Sequence, residues 1–376
     1  MFSTLIATAA FGLESIVKWE VANLGFCNIK CFDGRVEFSP RQDTDLPDAI
    51  ARANIWLRSA DRVLIKMGEF PATTFDSLFE QVKALPWDEW IPKDGKFTVT
   101  GKSVQSGLFS TPDVQAITKK AVVEKLKLKY KVSWFAETGA EFTIRVSLHK
   151  DIAVLTLDTT GVGRGLHKRG YRARANEAPL KETMAAALID IARHRPDQVF
   201  LDPCCGSGTL PIEAAMRAKN IAPGLARSFA SEAWPTVPAR YWKATRTEAY
   251  SAIRTEVEPE IYGSDISPDA IELAQANAEL AGVDDCIRFE VKPAANLVLP
   301  AEKGVSIVNP PYGERLSDAR EAERLYAELG RIFSRTNWAV YVLTPDEFFE
   351  TAYSKKARAK RKLFNGMIKT DYYQFF

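Results

Sequence analysis

The sharpest chemical signal in the sequence is a short polar motif that follows an apolar run. Asn309-Pro310-Pro311-Tyr312 comes directly after VSIV. The exocyclic amine of a nucleobase is a poor nucleophile, because its lone pair is delocalised into the ring. The Asn309 side-chain oxygen and the Pro310 carbonyl could accept its N–H groups and localise that lone pair toward a methyl donor, and the prolines would hold both acceptors in place. Tyr312 can stack on the base; the alternative is a Pro-rich turn after a strand.

A glycine-rich loop follows another apolar run. Asp202-Pro-Cys-Cys-Gly206-Ser-Gly208-Thr209 comes after VFL and precedes a helical pattern. Glycine lets the backbone approach a ligand closely at such a corner. The third glycine of a dinucleotide fingerprint is replaced by Pro211, and the Gly-Lys-Ser/Thr of a P-loop is absent. The pattern predicts a nucleoside ligand without a pyrophosphate, although a purely structural turn stays open.

Asp265 ends the next predicted strand, within GSDIS. A carboxylate at that place can accept hydrogen bonds from both hydroxyls of a ribose. Ser267-Pro268 is a good N-cap and first-turn pair for the following helix, so Asp265 is assigned to the strand end. The alternative is a carboxylate that caps a local turn.

The second half of the chain alternates strands and helices, as a parallel doubly wound sheet does. The strands are predicted at 199–202, 261–265, 287–291, 305–309 and 338–343. Near the end, Asn365-Gly366 between two apolar runs predicts an antiparallel hairpin. Ligands of such sheets bind at the carboxyl ends of the strands, which is where the three motifs lie.

The first 160 residues also alternate strands and helices, with a hairpin turn at Asp33-Gly34. This pattern is typical of small α+β, ferredoxin-like units. On the long helix predicted over 112–131, Lys120, Lys127 and Lys131 lie away from the apolar stripe. The Gly- and Arg-rich segment 161–179 is interpreted as the linker to the second half.

The net charge of +2 is an average over unlike regions. Residues 102–175 carry 14 basic and 6 acidic side chains, and residues 354–376 carry 7 and 1. Two basic blocks indicate a polyanionic partner, although solvated faces remain an alternative. One basic cluster is suited to phosphates; it comprises His167, Lys168, Arg169, Arg172 and Arg174. Another lies at 355–362, before the final hairpin.

Composition excludes several classes of protein. A hydrophobic fraction of 46% and a charged fraction of 26% are ordinary for a folded chain, and no apolar run approaches a membrane span. The start MFSTLIATAAF suits a first strand better than a signal peptide. Five cysteines suit a reducing cytoplasm, and with three histidines and no zinc-like spacing no metal site is predicted.

Taken together, the order DPCCGSGT, GSDIS, NPPY resembles that of class I S-adenosylmethionine-dependent amino-methyltransferases. LHKRGYR (166–172), APLKETMAAALI (178–189), NPPYGERL (309–316) and LFNGMIKTDYYQF (363–375) resemble the THUMP-containing RNA guanine-N2 methyltransferases. That family includes the amino-terminal methylase half of the bifunctional bacterial 23S rRNA methylase and its stand-alone relatives. The resemblance covers essentially the whole chain.

The resemblance implies an α/β protein. A Rossmann-like methyltransferase domain, with a mostly parallel seven-stranded sheet and a C-terminal antiparallel hairpin, would follow α+β ferredoxin-like and THUMP domains. The implied boundaries are 1–69 for the ferredoxin-like domain, 70–160 for the THUMP RNA-binding domain, 161–178 for a basic linker and 179–376 for the catalytic domain.

The resemblance also implies S-adenosylmethionine as cofactor and a set of residues that bind it. The implied cofactor-binding residues are Lys181, Glu182, Thr183, Asp202, Pro203, Gly206, Ser207, Gly208, Thr209, Asp265, Ile266 and Asn296. Asp202, Gly206 and Gly208 would line the methionine and ribose, and Asp265 would hold the ribose hydroxyls. Asn296 stands where many relatives carry an acidic residue; it can still accept a hydrogen bond, but without charge, so weaker cofactor binding is expected.

The expected reaction is methyl transfer to the exocyclic N2 of a guanine in RNA, with 23S rRNA as the expected substrate. A guanine in tRNA is a close alternative. N6 of adenine in DNA and a protein glutamine amide would use the same Asn-Pro-Pro-Tyr chemistry, but the strand–helix alternation of residues 1–160 disfavours both. A non-catalytic RNA-binding protein with a vestigial pocket is the alternative from another class.

Overall fold

The computed structural model describes residues 4–172, 180–311 and 319–376. Within these residues the backbone forms two seven-stranded sheets. We refer to residues 4–160 as the N-terminal unit and to residues 161–376 as the C-terminal unit.

The N-terminal unit is a mixed sheet with helices packed against it. Its strands are β1 (Leu5–Thr8), β2 (Cys27–Phe32), β3 (Arg35–Ser39), β4 (Arg62–Pro71), β5 (Lys96–Val104), β6 (Glu141–His149) and β7 (Ile152–Asp158). Its helices are α1 (Glu14–Asn23), α2 (Leu46–Trp56), α3 (Phe75–Ala84), α4 (Trp87–Trp90) and α5 (Thr111–Tyr130). The strand order is β2-β3-β1-β4-β7-β6-β5, and only β5 and β6 pair in parallel among these.

Strand β4 joins the two parts of the N-terminal unit that the sequence divides. It pairs with β1 along one edge, where Leu64 lies opposite Ile6, and with β7 along the other, where Leu64 lies opposite Asp158. The expected boundary between residues 69 and 70 falls inside this strand. The two predicted α+β domains therefore share one continuous sheet, because β4 is long enough to supply hydrogen bonds to both.

The C-terminal unit has the predicted Rossmann-like architecture. Its strands are β8 (Phe200–Asp202), β9 (Ile261–Asp265), β10 (Ile287–Val291), β11 (Val305–Val308), β12 (Ala339–Thr344), β13 (Ala359–Asn365) and β14 (Ile368–Phe375). The order is β10-β9-β8-β11-β12-β14-β13. The first five are parallel, and β14 is antiparallel to both of its neighbours. The mostly parallel sheet with its C-terminal antiparallel hairpin is thus confirmed.

Helices alternate with most of these strands along the chain. They are α6 (Glu182–Ala192), α7 (Thr209–Ala218), α8 (Ala239–Ser251), α9 (Pro268–Ala281), α10 (Ala319–Phe333) and α11 (Phe349–Ala352). Short 3-10 helices lie at Ala230–Ala233, Asp284–Cys286 and Ala294–Asn296. None of the helices in the described ranges is both long and apolar enough to cross a membrane.

The two units share a hydrophobic core. The segment between α7 and β9 packs on the N-terminal unit, where its side chains Phe229, Trp234 and Trp242 are almost fully buried. The Trp234 ring stacks on Phe142 of β6 with centroids 4.7 Å apart, and its Nε1 donates to the Glu141 carbonyl at 2.9 Å. Residues from both units therefore complete one apolar interior.

The segment interpreted as a linker is not a free tether where it is described. Leu166, Arg169 and Tyr171 are each no more than 3% exposed. Leu166 belongs to the core of the N-terminal unit and Tyr171 to that of the C-terminal unit. Residues 161–172 are consequently part of the packed interface, whereas Arg174 lies outside the described residues.

Candidate functional site

Three motifs meet at one edge of the parallel sheet. Strands β9, β8 and β11 are consecutive neighbours and parallel, so Asp265, Asp202 and Asn309 come to the same edge. The carboxyl edge of an open α/β sheet is where ligands bind. The strand order therefore brings the three motifs together at this edge.

Two glycines of the loop after β8 have left-handed backbone conformations for different reasons. Gly206 has φ of +52°, and a Cβ added there would meet nothing within 4 Å, so its outer side is open to a ligand. Gly208 has φ of +82°, and a Cβ there would lie 3.0 Å from the Ala274 Cβ of α9. Gly206 thus leaves space beside the loop, and Gly208 permits close packing of α7 on α9.

The Asp265 carboxylate holds this loop while keeping acceptor capacity. Its Oδ2 accepts from the Gly206 N–H at 2.9 Å and its Oδ1 from the Ser267 N–H at 3.0 Å. A carboxylate offers about four lone-pair sites. The remaining sites can accept from a pair of hydroxyls, as a ribose would supply.

Asp202 lies beneath the loop and not on its open side. The residue is 1% exposed, and its Oδ1 accepts from the Cys204 N–H at 3.1 Å. Burial, with a smaller contribution from the Asp265 charge, raises the pKa of Asp202 well above its ordinary value. Pro203 is buried as well, as are Ser207 and Thr209. These residues shape the loop from within.

The outer wall of the cleft is formed by loops that follow β9 and β10. Ile266 is 72% exposed, which leaves an apolar surface directly after Asp265. Asn296 is exposed at the end of the 3-10 helix that follows β10. Both are accessible to a planar ligand ring at the carboxyl edge.

The start of α6 is tied to the glycine-rich loop by Arg172. The Arg172 Nη2 donates to Thr209 Oγ1 at 2.6 Å and to the Leu180 carbonyl at 3.2 Å, and its Nη1 lies 3.5 Å from the Glu182 carboxylate. Burial raises the pKa of Glu182, while Arg172 opposes that rise. The prediction that Arg172 contacts RNA is not supported here, because its guanidinium is committed to this internal network.

The N-terminal unit reaches the same region through Asp61. Thr183 donates from its Oγ1 to Asp61 Oδ1 at 3.0 Å, and Lys181 is exposed beside it. A cavity of about 390 Å³ adjoins these residues, with Phe11, Phe364 and Met367 on its other sides. Asp61 could not be recognised as part of this region from the sequence, because its partner Thr183 is 122 residues away.

Asn309 presents an acceptor without a partner. Its Oδ1 is buried and has no hydrogen-bond partner among the described residues, and Pro310 beside it is buried. A buried acceptor left unsatisfied costs about 1–3 kcal/mol, which a bound N–H donor would relieve. Pro311 is half-buried, and Tyr312 lies outside the described residues.

The structure removes Arg169 from the predicted RNA surface. Arg169 is 2% exposed, its Nε donates to Glu213 Oε1 at 3.2 Å and its Nη1 to the Leu166 carbonyl at 2.8 Å. The buried Glu213 carboxylate, 44 residues away, draws the guanidinium inward. Burial also lowers the pKa of His167 to about 4, so its imidazole is neutral near pH 7. Lys168 remains exposed.

Three lysines predicted to contact RNA lie on α5 and at its C-terminal end. Lys120 and Lys131 are exposed, and Lys127 is half-buried and pairs with Glu124 at 2.9 Å. The Lys120 ammonium lies 5.7 Å from the centroid of the Phe79 ring. Of the basic stretch at 355–362, Arg361 donates to the Gly12 carbonyl at 3.0 Å and so braces the two units.

A second basic surface carries no signal in the sequence. Arg35, Lys102 and Arg145 line a cavity of about 300 Å³ on the N-terminal sheet, where Arg35 pairs with Glu37 at 3.1 Å and Arg145 lies 3.5 Å from the Asp158 carboxylate. They belong to three different strands, so only the strand order brings them together. Asn277 was missed for a similar reason; its Nδ2 donates to the Ser207 carbonyl at 3.0 Å from α9.

Of the two cysteines of the loop, Cys205 is buried and Cys204 is half-buried. Burial raises the pKa of Cys204 and Cys205 well above the ordinary value, with Asp202 adding to the rise. Within the described ranges, no three His, Cys, Asp or Glu side chains are grouped to hold a metal ion.

Family models match along most of the chain. The "RMKL-like, methyltransferase domain" model matches residues 169–374. The THUMP domain model matches residues 72–158, and the "RlmL ferredoxin-like domain" model matches residues 4–64. The three matches follow the same order as the two units of the structure.

Similar proteins align over nearly the full length. The Bacillus subtilis (strain 168) protein named "Putative RNA methyltransferase YpsC" is 48% identical, over 99% of this chain and 96% of its own length. A crystal structure from Listeria monocytogenes str. 4b F2365, described as that of a predicted N6-adenine-specific DNA methylase, is 49% identical with a TM-score of 0.93, covering 100% and 96% of the two chains. A structure of SMU.472 complexed with SAH is 43% identical with a TM-score of 0.92, covering 100% and 98%.

Proposed function

The chain belongs to the RMKL-like methyltransferase family, and from that premise we propose that it methylates the exocyclic N2 amine of a guanine in RNA. The methyl donor is S-adenosylmethionine; SMU.472, 43% identical, has been solved with the demethylated product SAH. We propose 23S rRNA as the substrate, as the resemblance of the motifs implies.

The groups at the carboxyl edge are suited to bind this cofactor. Gly206 leaves open space beside the loop, Asp265 keeps lone pairs for the ribose hydroxyls, and Ile266 offers an apolar surface for the adenine. Asn296 can accept from the adenine amine without charge. When bound, the cofactor supplies an electrophilic methyl group on a sulfonium.

The Oδ1 of Asn309, which is buried and accepts from none of the described residues, is the observation that carries the proposal. A guanine amine has two N–H groups; Asn309 Oδ1 would accept one and the Pro310 carbonyl the other. Both acceptors concentrate the nitrogen lone pair toward the methyl group, so that the amine attacks in line. The methylated amine is then acidic enough to release its proton to water.

The target base must leave its helix or come from a loop, which costs a few kcal/mol. Stacking on Tyr312 would offset part of that cost. The proposed contacts to the RNA backbone remain Lys120, Lys127, Lys131 and Lys168. We add Lys102 and Arg145, which line the cavity of about 300 Å³ on the N-terminal sheet. A reducing cytoplasm is the proposed location, consistent with the free thiols of the five cysteines.

Nucleoside analysis tests the substrate directly. Purified protein is incubated with labelled S-adenosylmethionine and, separately, with rRNA and tRNA from cells that lack it and with genomic DNA. Each product is digested and its labelled nucleoside identified. We expect N2-methylguanosine from rRNA. If only tRNA is labelled, the substrate is tRNA and not rRNA. Formation of N6-methyladenine in DNA, the activity suggested for the Listeria relative, would overturn the proposal.

Asn309 variants test the mechanism. Asn309→Ala removes the side-chain acceptor, and we expect kcat to fall about 100-fold, as when one preorganised polar group is removed from other active sites. Asn309→Asp keeps an acceptor oxygen and is expected to retain more activity. Unchanged Tm and SAH affinity in both variants exclude misfolding; a wild-type rate for Asn309→Ala would refute this role.

A further inference from the structure

A cavity of about 540 Å³ lies between the two units, away from the glycine-rich loop. Helix α7 begins at Thr209 beside that loop, whereas Arg217 near its other end lines this cavity. At 1.5 Å per residue the two positions are about 12 Å apart along the helix. The volume and the interdomain position are both typical of small-molecule sites.

The lining of this cavity is strongly basic. Its cationic side chains are Arg58, Arg195, Arg217 and Arg254, and no described residue that lines it is acidic. Arg217 pairs with the buried Asp190, and Arg195 pairs at 3.2 Å with the exposed Asp197. Among the described residues, Arg58 and Arg254 have no ion-pair partner, so their charges are left for a ligand.

Arg58 is a buried guanidinium with an unused donor. It is 8% exposed; its Nη2 donates to the Ile221 carbonyl at 2.8 Å, and its Nη1 is buried without an acceptor in the described part of the chain. Burial lowers the pKa of Arg58 to about 10; the Glu213 and Asp190 carboxylates oppose this fall, and the Arg217 and Arg169 charges add to it. The buried guanidinium therefore adds positive charge to the wall of the cavity, and that charge favours an anionic ligand.

An aromatic surface adjoins the cations. Trp19 of α1 also lines the cavity, is 51% exposed, and has the Arg217 guanidinium 5.8 Å from its ring centroid. Exposed indole beside guanidinium groups suits a nucleobase attached to a phosphate. His194 also lines the cavity; burial lowers its pKa, and its Nε2 lies 2.9 Å from the Gln198 carbonyl.

We propose that this cavity is a second ligand site, which binds the phosphate of a nucleotide through Arg58, Arg217 and Arg254 and its base against Trp19. Guanidinium groups bind phosphate oxygens through paired N–H donors, which a compact ammonium group cannot do. A free mononucleotide and a nucleotide within an RNA chain present this same chemistry. The site is distinct from the cofactor cleft, so its occupancy need not alter cofactor binding.

Calorimetry tests the free nucleotide. Full-length protein saturated with SAH, which blocks the cofactor cleft, is titrated with AMP and with adenosine. If a free nucleotide is the ligand, AMP binds and adenosine does not, because adenosine lacks the phosphate. Arg254→Gln should weaken AMP binding about tenfold, as loss of one charge-assisted hydrogen bond predicts. Arg335→Gln, an exposed arginine that lines none of the cavities described above, should leave it unchanged.

The salt dependence of RNA binding tests whether the ligand is a nucleotide within an RNA chain. If the ligand is an RNA nucleotide, Arg254→Gln lowers the slope of log affinity against log salt by about one phosphate contact, and Arg335→Gln does not. Trp19→Ala should then weaken RNA binding with an unchanged slope. The proposal is overturned if AMP does not bind and both cavity variants bind RNA as the wild type does. Methylation assays report on the cofactor cleft separately, so failure there leaves this result standing.

Discussion

At the scale of single residues, Asp202 and Asp265 end neighbouring parallel strands but have different surroundings. Asp202 is buried beneath the loop, which raises its pKa, whereas Asp265 is only partly buried and accepts from two backbone N–H groups. An aspartate side chain therefore supports the loop from below at position 202, whereas at position 265 it faces the cleft.

Asp265→Asn is expected to weaken SAH binding about 10- to 100-fold. The amide can present its NH₂ group to the Gly206 N–H, and it accepts from the ribose hydroxyls without charge assistance; the loss of one charge-assisted hydrogen bond costs about 1.5–3 kcal/mol. Calorimetric titration with SAH measures the effect. Asp269→Asn, in the first turn of α9, is the matched control; equal affinity of wild type and Asp265→Asn would contradict the ribose-binding role.

His167 gives the protein a pH dependence of stability. Its pKa is about 4 in the folded chain because of burial and the nearby Lys181 charge, against about 6.5 when unfolded. The unfolded chain binds the proton more readily, so the free energy of unfolding falls as the pH falls from about 6.5 to about 4. Since the ring is only partly buried, we expect about 1–2 kcal/mol from it.

Urea unfolding at pH 7.5 and pH 5.0 measures this contribution. His167→Gln should lose less stability between the two pH values than the wild type does. His149→Gln, which removes an exposed histidine, should behave like the wild type. An equal loss in wild type and His167→Gln would contradict the assignment.

At the scale of elements, the segment 161–172 is the joint between the units. Arg169 pairs with Glu213 of α7, and Tyr171 also donates to Glu213 Oε1 at 3.2 Å. The Arg169 Nη2 donates to the Arg58 carbonyl of the N-terminal unit. One buried guanidinium thus bonds to both units.

Arg169→Ala should destabilise the protein by about 3–5 kcal/mol, because it leaves the Glu213 carboxylate buried without its cation. The free energy of unfolding in urea measures the loss. The neighbouring exposed Lys168→Ala should change it by no more than about 0.5 kcal/mol. Similar stabilities for the two variants would mean that the buried pair contributes little.

At the scale of the whole molecule, the C-terminal half of the chain supplies part of the core of the N-terminal unit. Phe229, Trp234 and Trp242 lie in the C-terminal half of the chain but pack within the N-terminal unit. Arg361 of β13 also donates to Gly12 at the start of α1. The two units are therefore expected to fold as one body.

A chain that begins at residue 161 should not fold stably alone, because those three aromatic side chains would be exposed to water. We expect aggregation on expression, or no cooperative thermal transition by calorimetry. The full chain, expressed in parallel, should show one transition. A cooperative fragment with a Tm within a few degrees of the full chain would contradict this dependence.

The order of residues along the chain is enough to predict the Rossmann-like sheet and the assembly of its site. Strand–helix alternation implies parallel strands, and parallel strands necessarily bring Asp202, Asp265 and Asn309 to one edge. The Asn365-Gly366 turn likewise predicts the final hairpin, because two-residue turns are set by local backbone geometry. These features depend on residues close together in the chain.

Which basic residues face solvent could be established only from the folded molecule. Arg169 and Arg172 have the sequence pattern of surface cations, but Glu213 and Thr209, which lie 44 and 37 residues away, draw them inside. The sharing of β4 between two predicted domains and the basic cavity beside Trp19 arise in the same way. Local composition shows only that a charged side chain is present. Whether that side chain is paired, buried or exposed depends on partners that are distant in the chain and that the fold places beside it.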